Sequence, residues 1–281
     1  MARASVRRPV TDRRSASAGS GLKCKTLPGT VLHFRDPHRI CGYISDMSTI
    51  ANFLTWLMNQ VGYSVCHQIP ERSLRFGGRH LPVCSRDTGT FIAFALVFVA
   101  LLVVYRKRPV RYPSWPKVLV LCALLLPLIV DAATSYGGLR ESNNVIRIIT
   151  GSLAGAAAAA LLFPLFSDAV FTRGERLFEP DEPRVLPSWL SFVSILAAPV
   201  FVCLATWPRP AWAYWFWAPV VTLSLLLAVF ALNLTLVALV LDRLAPDRAP
   251  AWVFAIVASV LSVAELALAN GLHRIADHML R

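Results

Sequence analysis

Charge is what this chain has least of. Charged residues fill 16% of its 281 positions, where a soluble domain carries about a quarter. They are also clumped, so long uncharged runs alternate with short basic stretches. That distribution excludes an ordinary soluble domain and fits helices dissolved in lipid. No Gly-rich phosphate loop, nucleophile elbow, His-Glu-x-x-His pair or dinucleotide fingerprint is present, which leaves the commonest motif-borne enzyme classes without support. The continuous basic surface that nucleic acid requires is missing, so no nucleic-acid partner is expected despite a formal charge of +12. No apolar run precedes residue 48, which excludes an ordinary signal peptide. No clear internal repeat is visible. A carrier or channel built on inverted repeats therefore rests only on Pro127, inside an apolar run, and on Glu265, an intramembrane acid that Asn233 or Asn270 would satisfy.

What is present is apolar surface. Hydrophobic residues make up 56% of the chain and the mean hydropathy is +0.56. The pattern predicts an all-α, polytopic integral membrane helical bundle of about six to seven transmembrane helices, multi-pass in a cell membrane, with the lipid bilayer as its main partner. Residues 1–46 read as a disordered basic tail, which translation from Met47 would omit. Expected spans are Ile50 to Cys66 with Ser48 as N-cap, Thr88 to Tyr105, Lys117 to Tyr136, and Arg147 to Phe166. Three more follow at 187–206, 213–241 and 250–270. The first is weakened by Asn52, Asn59 and Gln60. In the fourth, Gly151 and Gly155 with Ala156 to Ala160 form a small-residue face that permits close helix approach. Residues 47–168 thus form one membrane core, 169–186 a charged connector and 187–281 three further helices. Trp207, Trp212, Tyr214, Trp215 and Trp217 read as an interfacial aromatic belt. With seven spans, 19 of the 28 Lys and Arg fall on the side of the tail, which the positive-inside rule makes cytoplasmic. The compact cluster Arg106, Lys107, Arg108, Arg111 and Lys117 agrees.

Two loops on the opposite, extracytoplasmic side hold the chemistry. The first, residues 66–89, packs two cysteines, two histidines, four arginines, Glu71 and Asp87 into 24 residues. Cys66-His67 and Cys84-x-x-Asp87 supply two pairs of zinc-compatible donors, and Gly77-Gly78 allows the turn between them. The same residues also suit a Cys66–Cys84 disulfide, a reactive thiol activated by neighbouring Arg and His, or a folded loop with no ligand. His80 reads as a loop residue. Cys122 and Cys203 lie in apolar runs and read as small core residues.

The second loop follows Asp131, an acid near the end of an apolar run that needs a partner. Arg140, Arg147 and the arginines of the first loop are candidates. Ser142, Asn143 and Asn144 are N-cap candidates for the next helix. Together the loops offer Arg72, Arg86, Arg140 and Arg147 with Asp87, Asp131 and Glu141. That set can form a buried salt-bridge network or hold an anionic headgroup.

The residues Cys66-His67-Gln68, Pro70, Arg72-Ser73, Gly78, Pro82-Val83-Cys84 and Arg86-Asp87-Thr88-Gly89 carry a resemblance. So do Asp131, Arg140-Glu141-Ser142-Asn143, Arg147 and Thr150-Gly151. The chain resembles the domain-of-unknown-function 2085 family of small polytopic membrane proteins of bacteria and archaea, over about residues 50–168. In that family position 87 is Cys or Asp, an alternation that suits a metal ligand as well as other roles. The resemblance implies that the two loops form a unit and implies no reaction.

The functional expectation is a metal-dependent membrane enzyme, a hydrolase or transferase. Cys66, His67, Cys84 and Asp87 would bind zinc, and Asp131 or Glu141 would act as general base. Arg72, Arg86, Arg140, Asn144 and Arg147 would hold an anionic lipid or lipid-linked substrate. A small-solute transporter and a non-catalytic scaffold stapled by Cys66–Cys84 are the alternatives.

Overall fold

The structure is a computed structural model and describes residues 37–106, 108–171, 183–207, 209–244 and 250–279. Residues 1–36 of the expected tail and 172–182 of the expected connector lie outside the described residues. The helices are α1 (Pro37–Tyr63), α2 (Ser85–Tyr105), α3 (Trp115–Ala123), α4 (Leu126–Tyr136), α5 (Asn144–Phe171), α6 (Trp189–Ser194), α7 (Ala197–Ala205), α8 (Tyr214–Leu244) and α9 (Ala251–Met279). The strands β1 (Arg75–Phe76) and β2 (Arg79–His80) form one short antiparallel hairpin. The protein is an all-α membrane bundle. Two compact units divide it, Met1–Asn52 and Phe53–Arg281. The described part of the first is the opening of α1, which begins at Pro37.

Among the described residues, five stretches are long and apolar enough to cross a membrane: Ser85–Tyr105, Trp115–Tyr136, Asn144–Phe171, Ala211–Val240 and Trp252–Met279. The expected first and fifth spans do not reach that standard. Polar Asn52, Asn59 and Gln60 dilute α1. The α6–α7 segment, Trp189–Ala205, is a shorter apolar helix of only about 25 Å at 1.5 Å per residue. Contacts nevertheless carry α6–α7 along the bundle. At its start, Lys117 Nζ donates to the carbonyls of Leu186 and Pro187, at 2.7 Å each. Beyond its end, Ala211 lies against Gly77 of the hairpin, at the opposite end of α2. Prolines explain the breaks. Pro127 opens α4 after a two-residue turn from α3, because it lacks an N–H and its ring displaces the preceding carbonyl. Pro199, in the first turn of α7, follows the turn from α6 in the same way.

The centre of the bundle is the contact of α2 with α5. A Cβ on Gly151 would lie 2.1 Å from the Arg86 carbonyl oxygen, and one on Gly155 2.0 Å from that of Thr90. From the other side, a Cβ on Gly89 would lie 2.5 Å from the Ile148 carbonyl. The two backbones therefore touch, as the small-residue face predicts. Ala156, Ala157, Ala159 and Ala160 are fully buried around this seam. Below it, Phe98 packs edge-on against Phe163 and Phe166, with centroids 5.7 and 5.0 Å apart. Farther out, Asn233 of α8 donates to Ser262 and Glu265 of α9, at 3.0 and 2.9 Å. Asn233 is thus the partner of the intramembrane acid, while Asn270 binds the Gln60 carbonyl at 2.8 Å.

Gly155→Ala is expected to destabilise the protein by about 1–3 kcal/mol, because only backbone movement relieves the overlap. Gly271→Ala, where a Cβ meets nothing within 4 Å, is expected to leave stability unchanged or slightly raised. Thermal unfolding of both variants in detergent checks the pair.

Candidate functional site

The first loop is pinned at both ends before it reaches its cysteines. Gln68 adopts a left-handed backbone with φ of 51°. Its side-chain amide donates to the carbonyls of Asn59 and Pro82, at 2.8 and 2.6 Å. These bonds tie the end of α1 to the segment entering α2 and offset the strain. Gly77 and Gly78, with φ of 54° and 86°, make the hairpin turn, a conformation that favours glycine. On the hairpin, Arg75 Nε donates to His80 Nε2 at 3.1 Å, which keeps His80 a loop residue.

This scaffold brings Cys66, at the end of α1, to the N-terminus of α2. Cys84 is the residue that caps α2. Its backbone N–H donates to Cys66 Sγ at 3.2 Å, and its thiol donates to the Asp87 carboxylate at 3.1 Å. Donor atoms of Cys66, Cys84 and Asp87 all lie within 4.8 Å of one another. Both cysteines are free thiols. Hydrogen bonding with Cys84 holds Cys66 below the ordinary thiol range, although burial and the Asp87 charge oppose this. The same contact pushes Cys84 up, reinforced by burial and by Asp87.

His67 does not join this group. Its ring lies against His273 of α9, with centroids 4.6 Å apart. Of the four expected ligands, Cys66, Cys84 and Asp87 converge, while the His67 ring packs on His273. His273 is itself oriented, since its Nδ1 lies 2.7 Å from the Tyr63 carbonyl, an atom that only accepts. Tyr63 hydroxyl also donates to Asp277, one turn farther along α9.

The arginines divide into two kinds. Asp131, 1% exposed, uses both carboxylate oxygens. One accepts from Arg86 Nε and a terminal guanidinium nitrogen, at 3.1 and 2.5 Å. The other accepts from Arg140 at 2.8 Å and the Ser142 hydroxyl at 2.5 Å. Four donors on two oxygens make Asp131, the residue expected from sequence as a general base, an anchor for arginine. Glu141 is exposed on the same loop and makes no ion pair among the described residues. Arg72 and Arg147 form no ion pair among the described residues either. The Arg72 guanidinium rests 5.0 Å above the Tyr136 ring, and that of Arg86 5.7 Å from it. Arg147, in the first turn of α5, donates to the Ser135 hydroxyl at 3.3 Å. Asn143 caps α5, accepting the Ile146 N–H at 2.9 Å. Asn144, expected to meet substrate, donates instead to the Glu71 carbonyl at 3.4 Å.

Cys66, His67, Cys84, Arg72, Arg86, Arg147 and Tyr136 line one small cavity of about 20 Å³, room for one water. Tyr136 and His273 are the site residues that sequence reasoning missed. Tyr136 ends an apolar run immediately before Gly137-Gly138. Asn270, His273, Arg274 and Asp277 recur at helical spacing, a polar face at the end of an otherwise apolar helix.

The fold and the site together define a helical membrane protein with a cysteine- and arginine-lined pocket at one end of its bundle. A family model described as "Predicted membrane protein (DUF2085)" matches residues 66–161. An uncharacterized protein of Methanothermobacter thermautotrophicus is 42% identical over 98 residues, 34% of this chain and 83% of the relative. Another, of Methanocaldococcus jannaschii, is 29% identical over 132 residues, 47% of this chain and 82% of the relative. The chain belongs to this DUF2085 family of membrane proteins. No solved structure matches it.

Asp131→Asn is expected to cost about 3–5 kcal/mol, by leaving the Arg86 guanidinium buried without its carboxylate. Arg140 is 47% exposed at its side chain, so Arg140→Gln is expected to cost about 1 kcal/mol or less. Unfolding midpoints of the two variants test the division.

Proposed function

We propose that Cys66, Cys84 and Asp87 hold a divalent metal, zinc by preference, and that the protein is a metal-dependent membrane enzyme. The supporting observation is the convergence of two thiols and a carboxylate within 4.8 Å, beside a cavity of water size. Three protein ligands with a free fourth position is the arrangement of catalytic zinc sites, whereas structural sites close with four. The donor set fits the ion chemically, since thiolate and carboxylate are both accepted ligands. Bound there, the ion supplies Lewis acidity and an activated water.

The chain's own residues do the rest. Arg72, Arg86 and Arg147 line the cavity and offset the charge that two thiolates and a carboxylate bring. They also draw in an anionic substrate, and the reaction class this favours is hydrolysis or group transfer on a lipid-linked or other anionic compound. Asp131 keeps Arg86 in place. Glu141, exposed on the same loop, is the carboxylate available for proton transfer. We place the pocket at the extracytoplasmic face of a multi-pass protein on the compact basic cluster Arg106, Lys107, Arg108, Arg111 and Lys117 that follows the far end of α2, which the positive-inside rule puts in the cytoplasm.

Purified protein is expected to carry about one equivalent of metal. Cys66→Ser and Cys84→Ser should each abolish it, and His67→Ala should retain it. Asp87→Cys should bind cadmium more tightly than wild type, because thiolate is the softer donor. Elemental analysis of the four variants decides the matter. Metal-free wild type with both thiols alkylatable, or a native Cys66–Cys84 disulfide found by mass spectrometry, sinks the proposal.

A further inference from the structure

Sequence alone put Arg72, Arg86, Arg140 and Arg147 in one group. In the fold only some of them are free to act on a ligand. Arg86 and Arg140 are committed to Asp131. Arg147 is 6% exposed, has no carboxylate partner among the described residues, and has a buried Nε with no hydrogen-bond partner. A buried guanidinium in that state is costly. Its one side-chain bond, to Ser135, is long at 3.3 Å. It sits in the first turn of α5, a 28-residue helix, whose N-terminal dipole favours an anion at the same place. Arg72, stacked on Tyr136, lines the cavity beside it.

We infer that Arg147, with Arg72, binds a phosphate group whose leading oxygen enters the cavity. Two guanidinium groups lacking carboxylates match a phosphate dianion in charge, and arginine matches its oxygens in geometry. The cavity, about 20 Å³, admits one oxygen and leaves the remainder at the mouth, where a lipid headgroup or a soluble phosphate can stand. The inference rests on the reading of this pocket as a substrate site and names the chemistry of the substrate. It assigns Arg147 as the principal binding residue, with Arg86 and Arg140 serving Asp131.

The test uses the full chain purified in detergent, with metal content measured on each sample. Thermal unfolding is followed against inorganic phosphate, and separately against short-chain phosphatidic acid, each at constant ionic strength with chloride as reference. Wild type is expected to be stabilised saturably by at least one of them. Arg147→Gln should weaken that response at least about tenfold, and Arg147→Lys less. Arg209→Gln, an exposed change elsewhere, should leave it intact. A response to phosphate identifies a soluble source, and a response to phosphatidic acid alone identifies a lipid headgroup; both support the inference. Should Arg147→Gln fail to fold, Arg147→Lys and Arg72→Gln are expected to weaken binding at least about threefold. No stabilisation of wild type beyond chloride, or wild-type response in the arginine variants, overturns the inference. Absence of any wild-type response, with metal retained, defeats this inference alone. A retained phosphate response in metal-free wild type defeats the metal reading alone.

Discussion

Direct contact between the α2 and α5 backbones is the constraint on which the rest of this protein depends. Gly89, Gly151 and Gly155 leave no side chain in the seam, so the carbonyls of Arg86, Thr90 and Ile148 lie where β-carbons would otherwise stand. In lipid, helices gain little from burying apolar area against one another, and close van der Waals approach takes over. The functional consequence is positional. Arg86 lies in the first turn of α2, three residues before Gly89, and Arg147 in the first turn of α5, four residues before Gly151. The same seam that holds the bundle together therefore brings two arginines to one cavity.

Around that cavity, charge is distributed with different degrees of satisfaction. Asp131 is saturated by Arg86, Arg140 and Ser142. Asp87 is engaged by the Cys84 thiol. Arg147 and Arg72 are left with hydroxyl and aromatic partners. A fully satisfied half and an under-satisfied half, side by side, is what a rigid scaffold carrying a ligand site should look like. At the other end of the bundle, Lys117 shows the alternative use of a buried cation. It is 3% exposed and its ammonium is consumed by the carbonyls preceding α6, a purely architectural role.

Much of this was legible in the sequence because it rests on local pattern. The apolar runs announce the membrane, Gly151 and Gly155 announce close packing, and Gly77-Gly78 announces the hairpin. The clustering of Cys66, Cys84 and Asp87 follows from their placement on one loop and the first turn of the next helix. That Asp131 would be paired was readable from its depth in an apolar run. That it would be paired twice was not, since lone-pair occupancy has no linear signature. The same holds for His67. Its partner His273 is more than 200 positions away, in a helix outside the stretch that matches the family model, and no periodicity links the two. Lys117 reads as an interfacial charge because burial by carbonyls from a distant loop leaves no trace in its neighbours.

The fastening of α9 to the end of α1 has a mechanical consequence. Asn270, His273, Arg274 and Asp277 grip Gln60 and Tyr63, and Tyr63 stands three residues before Cys66. A displacement of the last helix is thus geared to the thiol through less than one turn of backbone. A force on α9, whether from bilayer thickness or from a bound neighbour, has a short path to the cysteine pair through these contacts. The C-terminal helices that make this fastening extend beyond the family match.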